Sequence, residues 1–268
     1  MSQSSSESGS FPATAEVLDL RARFRTLHVD GTFVMPNAWD VGSALVLEDL
    51  GFAAVATTSS GYGESVGRAD MTITLDELLV HVEALTAAIS IPLSVDSERL
   101  FGADLAAVAR AVDLLASAGA AGCSIEDWDP SLGALDEVGA ATDRVAAAAE
   151  AAHRHGMVLT ARAERHLYDP QADLGETIAR LRAYQGAGAD CVYAPGILAA
   201  QDIGRVVIET GAAVNVLARQ GVPAVGELAE LGVRRISTGG ALAHHFYGLL
   251  RQVAGELRTT GTYPHLRG

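Results

Sequence analysis

Two carboxylates follow an apolar run in the stretch VDSERLFG at 95–102, where Asp96 and Glu98 stand two residues apart. Alternate residues of a strand face the same side, so both side chains are expected to point together. Glu126 closes the next apolar run, GCSIED. Three carboxylates in one small volume raise one another's pKa unless a cation joins them, and oxygen ligands without His or Cys suit Mg²⁺ or Mn²⁺ rather than zinc. The pattern therefore indicates a divalent metal site formed by Asp96, Glu98 and Glu126.

The same acidic cluster also has an interpretation without a metal. Glu98 or Asp127 could pair with Arg99 or Arg162, because structural ion-pair networks bring the same residue types together. A divalent ion remains the simpler explanation of the whole cluster, since it accounts for several carboxylates at once.

Arg162 ends the apolar run MVLTARA and is a candidate for binding a substrate carboxylate. A guanidinium binds that group through two parallel hydrogen bonds. A salt bridge from Arg162 to Glu126 or Glu164 is the structural alternative, and the two roles are compatible. The turn TTSSG at 57–61 adds hydroxyls and successive backbone N–H groups, which could hold a second anionic end.

These candidates lie in a chain that alternates short apolar runs with longer segments of helical period. The apolar runs, predicted as strands, are at 33–39, 53–59, 92–96, 122–127, 157–163, 191–196, 213–218 and 234–240. After a first helix at 13–27, helices are predicted at 41–50, 75–89, 103–118, 140–155, 172–187, 199–210, 223–231 and 241–258. Eight β/α units predict an α/β fold of the (β/α)8 TIM-barrel type. An open doubly wound sheet is disfavoured, because no Gly-rich dinucleotide fingerprint follows the first strand.

Polar residues recur at the carboxyl ends of the predicted strands, although a parallel strand buried on both faces should read as apolar. They are Asn37 and Asp40, Thr57 to Ser60, Asp96 and Glu98, Glu126 and Asp127, Arg162 and Glu164, Asn215, and Ser237 and Thr238. Barrel enzymes carry their active sites at this end of the barrel. The sequence thus predicts one polar mouth.

Composition excludes several classes of function. All 19 basic residues are Arg, so no lysine is present for a Schiff base, for pyridoxal phosphate or for a Walker motif. A net charge of −14 argues against nucleic acid as a partner. No apolar run of about 18 residues lacks charge or Gly, so no membrane partner is expected.

The chain of 268 residues is expected to form one barrel domain over 13–268, behind a disordered tail at 1–12. The Ser-rich first ten residues lack the basic start and apolar core of a secretory signal, so a cytoplasmic location is expected. Cys123 and Cys191 lie in apolar runs and are interpreted as buried thiols.

Taken together, several segments resemble the isocitrate lyase/phosphoenolpyruvate mutase superfamily, over about 27–263 and most closely its short phosphoenolpyruvate mutase-like members. The matching segments are NAWDVGSA (37–44), GFAAVATTSSG (51–61), GRAD (67–70), VDSE (95–98), AGAAGCSIED (118–127), TARAE (160–164), AGADCVYAPG (187–196), VNVLA (214–218) and ELAELGVRRISTGGAL (227–242).

The resemblance implies a barrel that binds Mg²⁺ among carboxylates and chelates a 2-oxo acid or its enolate. It implies that Asp96, Glu98 and Glu126 hold the metal, that Asp70 lies near that ion, and that Thr58, Ser59, Ser60 and Arg162 contact the substrate. Asn215, at the predicted mouth, joins the substrate-binding set. Members of the superfamily cleave or form C–C or P–C bonds next to a 2-oxo acid. They exchange the last helix between subunits, which implies a homodimer or homotetramer through the helix at 241–258.

The sequence also departs from the superfamily pattern. The lid after the fourth strand lacks the Lys-Lys-Cys-Gly-His pattern of the lyase branch, so Cys-dependent isocitrate cleavage is not expected. The usual Gly-Tyr-Gly reads Leu100, Phe101, Gly102, and Met71 stands where Gly is frequent. Arg99 adds a cation that is expected beside the metal set.

The sequence thus predicts a Mg²⁺-dependent lyase or mutase that acts on a small 2-oxo carboxylate or phosphonate through an enolate-like intermediate. Two alternatives stay open. One is a catalytically degenerate barrel that binds a small carboxylate without turnover. The other is a sugar-phosphate barrel that uses the STGG turn at 237–240, provided that its N–H groups face the mouth.

Overall fold

The computed structural model describes residues 13–262 and 264. In this part of the chain the helices are α1 (Ala15–Leu27), α2 (Val41–Asp49), α3 (Ser59–Ser65), α4 (Leu75–Thr86), α5 (Leu105–Ser117), α6 (Val138–Arg154), α7 (Arg165–Tyr168), α8 (Leu174–Gly186), α9 (Ala200–Thr210), α10 (Val225–Glu230) and α11 (Ala241–Thr260). The strands are β1 (Phe33–Met35), β2 (Asn37–Ala38), β3 (Val55–Thr57), β4 (Leu93–Val95), β5 (Gly122–Glu126), β6 (Trp128–Asp129), β7 (Ala134–Leu135), β8 (Val158–Arg162), β9 (Cys191–Tyr193), β10 (Ala213–Leu217) and β11 (Arg235–Ser237). The segment 1–12, predicted as a disordered tail, lies outside the described residues.

The main sheet is a parallel barrel, closed through its first strand. β1 pairs with β11 and β2 pairs with β3, and Pro36 separates β1 from β2. Proline has no N–H to donate, yet its carbonyl still accepts the Ala56 N–H at 2.9 Å, so the ladder continues across the break. Counting β1 and β2 as one strand gives eight, which confirms the predicted (β/α)8 barrel.

Each barrel strand ends before the end of the apolar run that predicts it, and β3 and β4 show why. β3 ends at Thr57 because the Thr58 hydroxyl accepts the Gly61 N–H and caps α3. β4 ends at Val95, and Glu98 adopts a left-handed backbone with φ +48°. The expectation that Asp96 and Glu98 share one face of a strand is therefore wrong: both follow the strand, in an irregular turn.

Helix α1 closes the amino-terminal end of the barrel. Phe24 is fully buried and contacts Gly122, where a Cβ would stand 2.7 Å from the ring. The buried Arg21 guanidinium donates to the carbonyls of Ala116, Ala120 and His155, at or just beyond the carboxyl ends of α5 and α6. Because this end is sealed, a ligand enters from the carboxyl ends of the strands.

Helix α11 is long and mostly uncovered. Of its 20 residues only Ala243 is buried, while Phe246, Leu249 and Leu250 are more than half exposed. No helix among the described residues is long and apolar enough to cross a membrane. The predicted cytoplasmic location stays a prediction.

Candidate active site

A cavity of about 410 Å³ opens at the carboxyl ends of the barrel strands. It is lined by seven residues assigned to the site from the sequence: Thr58, Ser59, Ser60, Asp70, Asp96, Arg162 and Asn215. The two other assigned residues, Glu98 and Glu126, are buried and do not line it. The sequence candidates thus lie together at one end of the barrel. Seven line the cavity, and two are buried behind the cavity wall.

Arg162 is the centre of a buried ion-pair cluster. Its Nη1 lies 2.6 Å from Asp96 Oδ1, its Nη2 3.2 Å from Glu126 Oε2, and its Nε 2.8 Å from Glu164 Oε1. Burial alone would lower the pKa of this guanidinium, but the three carboxylates hold that pKa well above its ordinary value. The salt bridges to Glu126 and Glu164 are present, while the guanidinium also lines the cavity.

Two buried carboxyl groups near Arg162, those of Glu98 and Glu126, resist ionisation. Burial, together with the charges of Asp96 and Asp70 and against the opposing effect of Arg162, raises the pKa of Glu98 to about 8. Burial likewise raises the pKa of Glu126 well above its ordinary value. Glu98 is therefore largely protonated at neutral pH in the metal-free protein.

The donor set at the mouth suits a hard cation, because the candidate ligands are carboxylate oxygens. Glu98 Oε1 is buried without a hydrogen-bond partner, as expected for an oxygen that serves as a ligand to a cation. No three His, Cys, Asp or Glu side chains of residues 13–262 and 264 are grouped so that they could hold one ion. Magnesium usually keeps several water ligands, so two carboxylates suffice for such a site. The metal set of Asp96, Glu98 and Glu126 stays a prediction.

Ser59 links the two acidic residues that line the cavity. Its backbone N–H and its hydroxyl donate to Asp96 Oδ2 at 3.0 and 3.2 Å, and the hydroxyl also lies 3.2 Å from Asp70 Oδ1. The Asp96 N–H in turn donates to Thr57 Oγ1 at 2.8 Å. The Ser59 N–H, which was predicted to hold an anionic end of a ligand, is thus occupied by a side chain of the protein.

The turn after β11 is likewise occupied. The N–H groups of Thr238 and Gly239 both donate to Asn37 Oδ1, at 2.9 and 2.8 Å. A phosphate would need these donors, so their use by Asn37 disfavours the sugar-phosphate alternative.

Deeper in the barrel, Asn215 bridges two neighbours. Its Oδ1 accepts from Arg235 Nε at 2.9 Å, and its Nδ2 donates to Ser237 Oγ at 2.9 Å. Arg235 was not among the sequence candidates, although it lines the cavity. The signal was its place two residues before Ser237 in a strand, which turns both side chains toward the barrel axis.

Comparison with known proteins places the chain in a family. The sequence model of the phosphoenolpyruvate phosphomutase family matches residues 24–258. The chain belongs to this family. A crystal structure of a protein of Burkholderia cenocepacia J2315, assigned as a lyase/mutase, superposes with a TM-score of 0.90 at 42% identity, covering 94% of this chain and 95% of that one. The predicted resemblance to the isocitrate lyase/phosphoenolpyruvate mutase superfamily is confirmed.

Two relatives compared by sequence support the same conclusion. An uncharacterized protein of Mycobacterium tuberculosis is 33% identical over 217 residues, which are 81% of each chain. An oxaloacetate decarboxylase of a Bradyrhizobium species (strain BTAi1) is 30% identical over 212 residues, covering 75% of this chain and 69% of that one. The protein is thus a homologue of lyases and mutases of the superfamily.

The lid of this phosphoenolpyruvate phosphomutase family member is a short hairpin of β6 and β7. Arg99 holds it, with Nη1 2.9 Å from Asp129 and Nη2 2.6 Å from Asp136. The expectation that Arg99 stands beside the metal set is therefore wrong, because its long side chain reaches the lid. Trp128 in the hairpin stacks on Tyr168, with ring centroids 3.6 Å apart.

Asp127 pairs with residues of helix α8, and not with Arg99 or Arg162. Its Oδ2 lies 3.2 Å from Arg180 and accepts from the Tyr184 hydroxyl at 2.6 Å. The proposed pairing of Asp127 with Arg99 or Arg162 is wrong, since helix α8 supplies the cation.

The altered segment after Asp96 keeps a backbone that favours glycine. Leu100 and Phe101 have φ values of +58° and +53°, and Leu100 stands at the first Gly of the superfamily's Gly-Tyr-Gly pattern. A left-handed residue with a side chain costs about 1–2 kcal/mol. Full burial of the Leu100 side chain offsets this cost. The turn that carries Glu98 is thus held in place by core packing.

Proposed function

We propose that this protein is a Mg²⁺-dependent lyase or mutase that cleaves a C–C or P–C bond next to a small 2-oxo carboxylate or phosphonate, through an enolate-like intermediate. The observation that supports it best is the mouth cluster, where the Arg162 guanidinium and the carboxylates of Asp96 and Asp70 line one cavity and Glu126 contacts Arg162 from behind the wall. Such a reaction builds negative charge on an oxygen, and fixed positive charge at that position lowers its barrier.

In this proposal Asp96, Glu98 and Glu126 would hold the metal, in part through water. When bound, Mg²⁺ would polarise the 2-oxo group and stabilise the enolate charge; Mn²⁺ would serve the same role. Arg162 donates two hydrogen bonds to carboxylates, from Nε to Glu164 and from Nη1 to Asp96. Its Nη2 lies 3.2 Å from Glu126, so some of its five N–H groups remain for the substrate oxygen.

The remaining side chains of the site position the substrate and shield it. Asp70 belongs to the catalytic set in this proposal because it lines the cavity and its Oδ1 lies 3.2 Å from Ser59 Oγ. Thr58, Ser59, Ser60 and Asn215 bound the space in which the substrate lies.

We propose that cleavage proceeds without a cysteine. Both thiols are buried in strands of the barrel, and burial raises the pKa of Cys123 to about 12. A thiol in that state is a poor nucleophile and a poor acid at neutral pH. The lid residues 128–137 carry no Cys, Lys or His that could replace it.

Oxalate, a flat mimic of the pyruvate enolate, tests this function before any substrate is chosen. Calorimetry is expected to show oxalate binding only with Mg²⁺, and the Mg²⁺ affinity is expected to increase from pH 6 to pH 8. Because the Glu98 proton must leave when the metal binds, affinity gains at most about tenfold per pH unit for each proton released.

The variant Asp96→Asn is expected to lose this Mg²⁺-dependent binding. Asp113→Asn, in an exposed ion pair with Arg154 on the outer helices, is the matched control and should bind as the wild type does. Oxalate binding that does not depend on Mg²⁺, or none in either condition, would argue against the proposed function.

A catalytically degenerate barrel is the second candidate, favoured by the lack of a three-ligand metal group among the described residues. It predicts oxalate binding without turnover of any 2-oxo acid. Turnover above that of a Glu98→Ala control would exclude it.

We also propose that α11 packs against a second copy of the chain in a homodimer or homotetramer. Its exposed apolar residues form a patch of the kind that monomers rarely leave in water. Sedimentation should show an oligomer for the wild type and a smaller species for Leu250→Glu. Ile208→Glu, an exposed apolar site on α9, is the control and should leave the mass unchanged; a monomeric wild type would contradict the proposal.

A further inference from the structure

The floor of the cavity contains a second buried guanidinium, that of Arg235. It is only 3% exposed, yet it lines the cavity. Its Nε donates to Asn215 Oδ1 at 2.9 Å, its Nη2 to Thr160 Oγ1 at 2.8 Å, and its Nη1 lies 3.2 Å from His28 Nε2. Within 13–262 and 264, Arg235 forms no ion pair with a carboxylate, in contrast to Arg162 with its three.

His28 does not supply the missing negative charge. Burial, followed by the charge of Arg235, lowers the pKa of His28 to about 3, so this ring is neutral. Its Nδ1 lies 2.8 Å from the Phe24 carbonyl and must donate there, which makes Nε2 an acceptor for Arg235. The three contacts of Arg235 are therefore all neutral.

A buried charge with neutral partners alone is costly, and proteins normally pair it. Three of the five N–H groups of Arg235 are used, which leaves two for a ligand. The cluster around Arg162 carries more carboxylates than cations, so a second anionic group is repelled there and attracted to Arg235.

The barrel interior leaves room for such a group. TIM barrels usually fill this layer with branched apolar side chains. Here the cavity wall includes five small residues, Ala56, Ser94, Ser124, Thr160 and Ser237, beside the larger Met35 and Tyr193, and Thr160 contacts Arg235 directly. The cavity therefore continues from the mouth to the guanidinium.

We propose that Arg235 binds an anionic group of the substrate at the barrel floor, so that the substrate is a dianion with one end near Arg162 and a second carboxylate or phosphonate on Arg235. This inference rests on the proposed function for the identity of the first end. It makes Arg235 a specificity-determining residue that selects dianions over monoanions.

The first test uses no metal, so that its outcome is independent of the proposed function. In EDTA, millimolar inorganic phosphate should raise the thermal unfolding midpoint of the wild type. The midpoint should respond less in Arg235→Lys, whose shorter side chain keeps the charge, and not at all in Arg235→Met. No response in the wild type would overturn the proposal, even if neither variant folds.

The second test compares pyruvate with oxaloacetate, which adds one carboxylate, by competition with oxalate in Mg²⁺. The wild type should prefer the dianion by about 100-fold, and Arg235→Met should reduce that preference below about tenfold while pyruvate affinity stays unchanged. Arg21→Met is the matched control, because Arg21 is equally buried among neutral acceptors but lies away from the cavity; it should keep the preference.

Two outcomes separate this inference from the proposed function. Equal loss of pyruvate and oxaloacetate binding in Arg235→Met would show a merely structural role and overturn the inference. Failure of oxalate to bind the wild type would refute the proposed function, while the phosphate test still decides whether Arg235 binds anions.

Discussion

Replacing Arg162 by Ala is expected to reduce turnover by at least about 10²-fold and to lower the free energy of unfolding by about 3–5 kcal/mol. The substitution removes a cation that contacts Asp96, Glu126 and Glu164 together. Three carboxyl groups would then share a buried space without a counter-charge, and the substrate oxygen would lose its guanidinium.

The stability loss in Arg162→Ala should depend on pH. Glu126 and Glu164 already have a pKa above that of an unfolded chain, and without Arg162 their pKa rises further. The folded state then binds more protons than the unfolded state, so stability falls as pH rises above about 4.5. Urea unfolding should show a larger deficit at pH 8 than at pH 5.

Arg154→Ala is the control for these measurements. Its guanidinium pairs with Asp113 and Glu150 in exposed positions, where an ion pair contributes about 1 kcal/mol or less. Full turnover by a stable Arg162→Ala variant would contradict both the assigned role and the cluster's importance for folding.

Replacing Glu126 by Gln is expected to change activity and stability in opposite directions. Metal-dependent turnover should fall by about 10²-fold or more, since the neutral amide is a weak ligand for Mg²⁺. The free energy of unfolding at pH 8 should equal or exceed that of the wild type, because Gln has the shape of Glu without its buried charge.

The sign of the stability effect follows from the raised pKa of Glu126. Ionising this group in the folded state is unfavourable relative to the unfolded chain, so the wild type loses stability as pH rises and the variant avoids that loss. The two proteins should unfold alike near pH 4. Glu209→Gln, an exposed substitution on α9, should change neither property, and unaltered metal-dependent turnover in Glu126→Gln would refute the metal assignment.

Sequence patterning predicted the positions that strand geometry controls. The carboxyl ends of the buried parallel strands lie at one face of a closed barrel. Residues at those ends therefore lie close together, as Ser59, Asp96, Arg162 and Asn215 do. The boundaries were less predictable. A single cap at Thr58 and a left-handed turn at Glu98 ended β3 and β4 inside apolar runs.

The amino-acid sequence by itself determined the eight β/α units, the mouth and seven of the residues that line it, because the alternation of apolar runs with helical segments is a local property. Only the tertiary structure decided which charges pair. Arg99 and Arg162 have long side chains that can reach several partners, and closure of the barrel determined that Arg99 holds the lid while Arg162 gathers three carboxylates. The same closure placed Arg235 beside Thr160, which is 75 residues away in sequence, where no carboxylate of the described residues pairs with this buried charge.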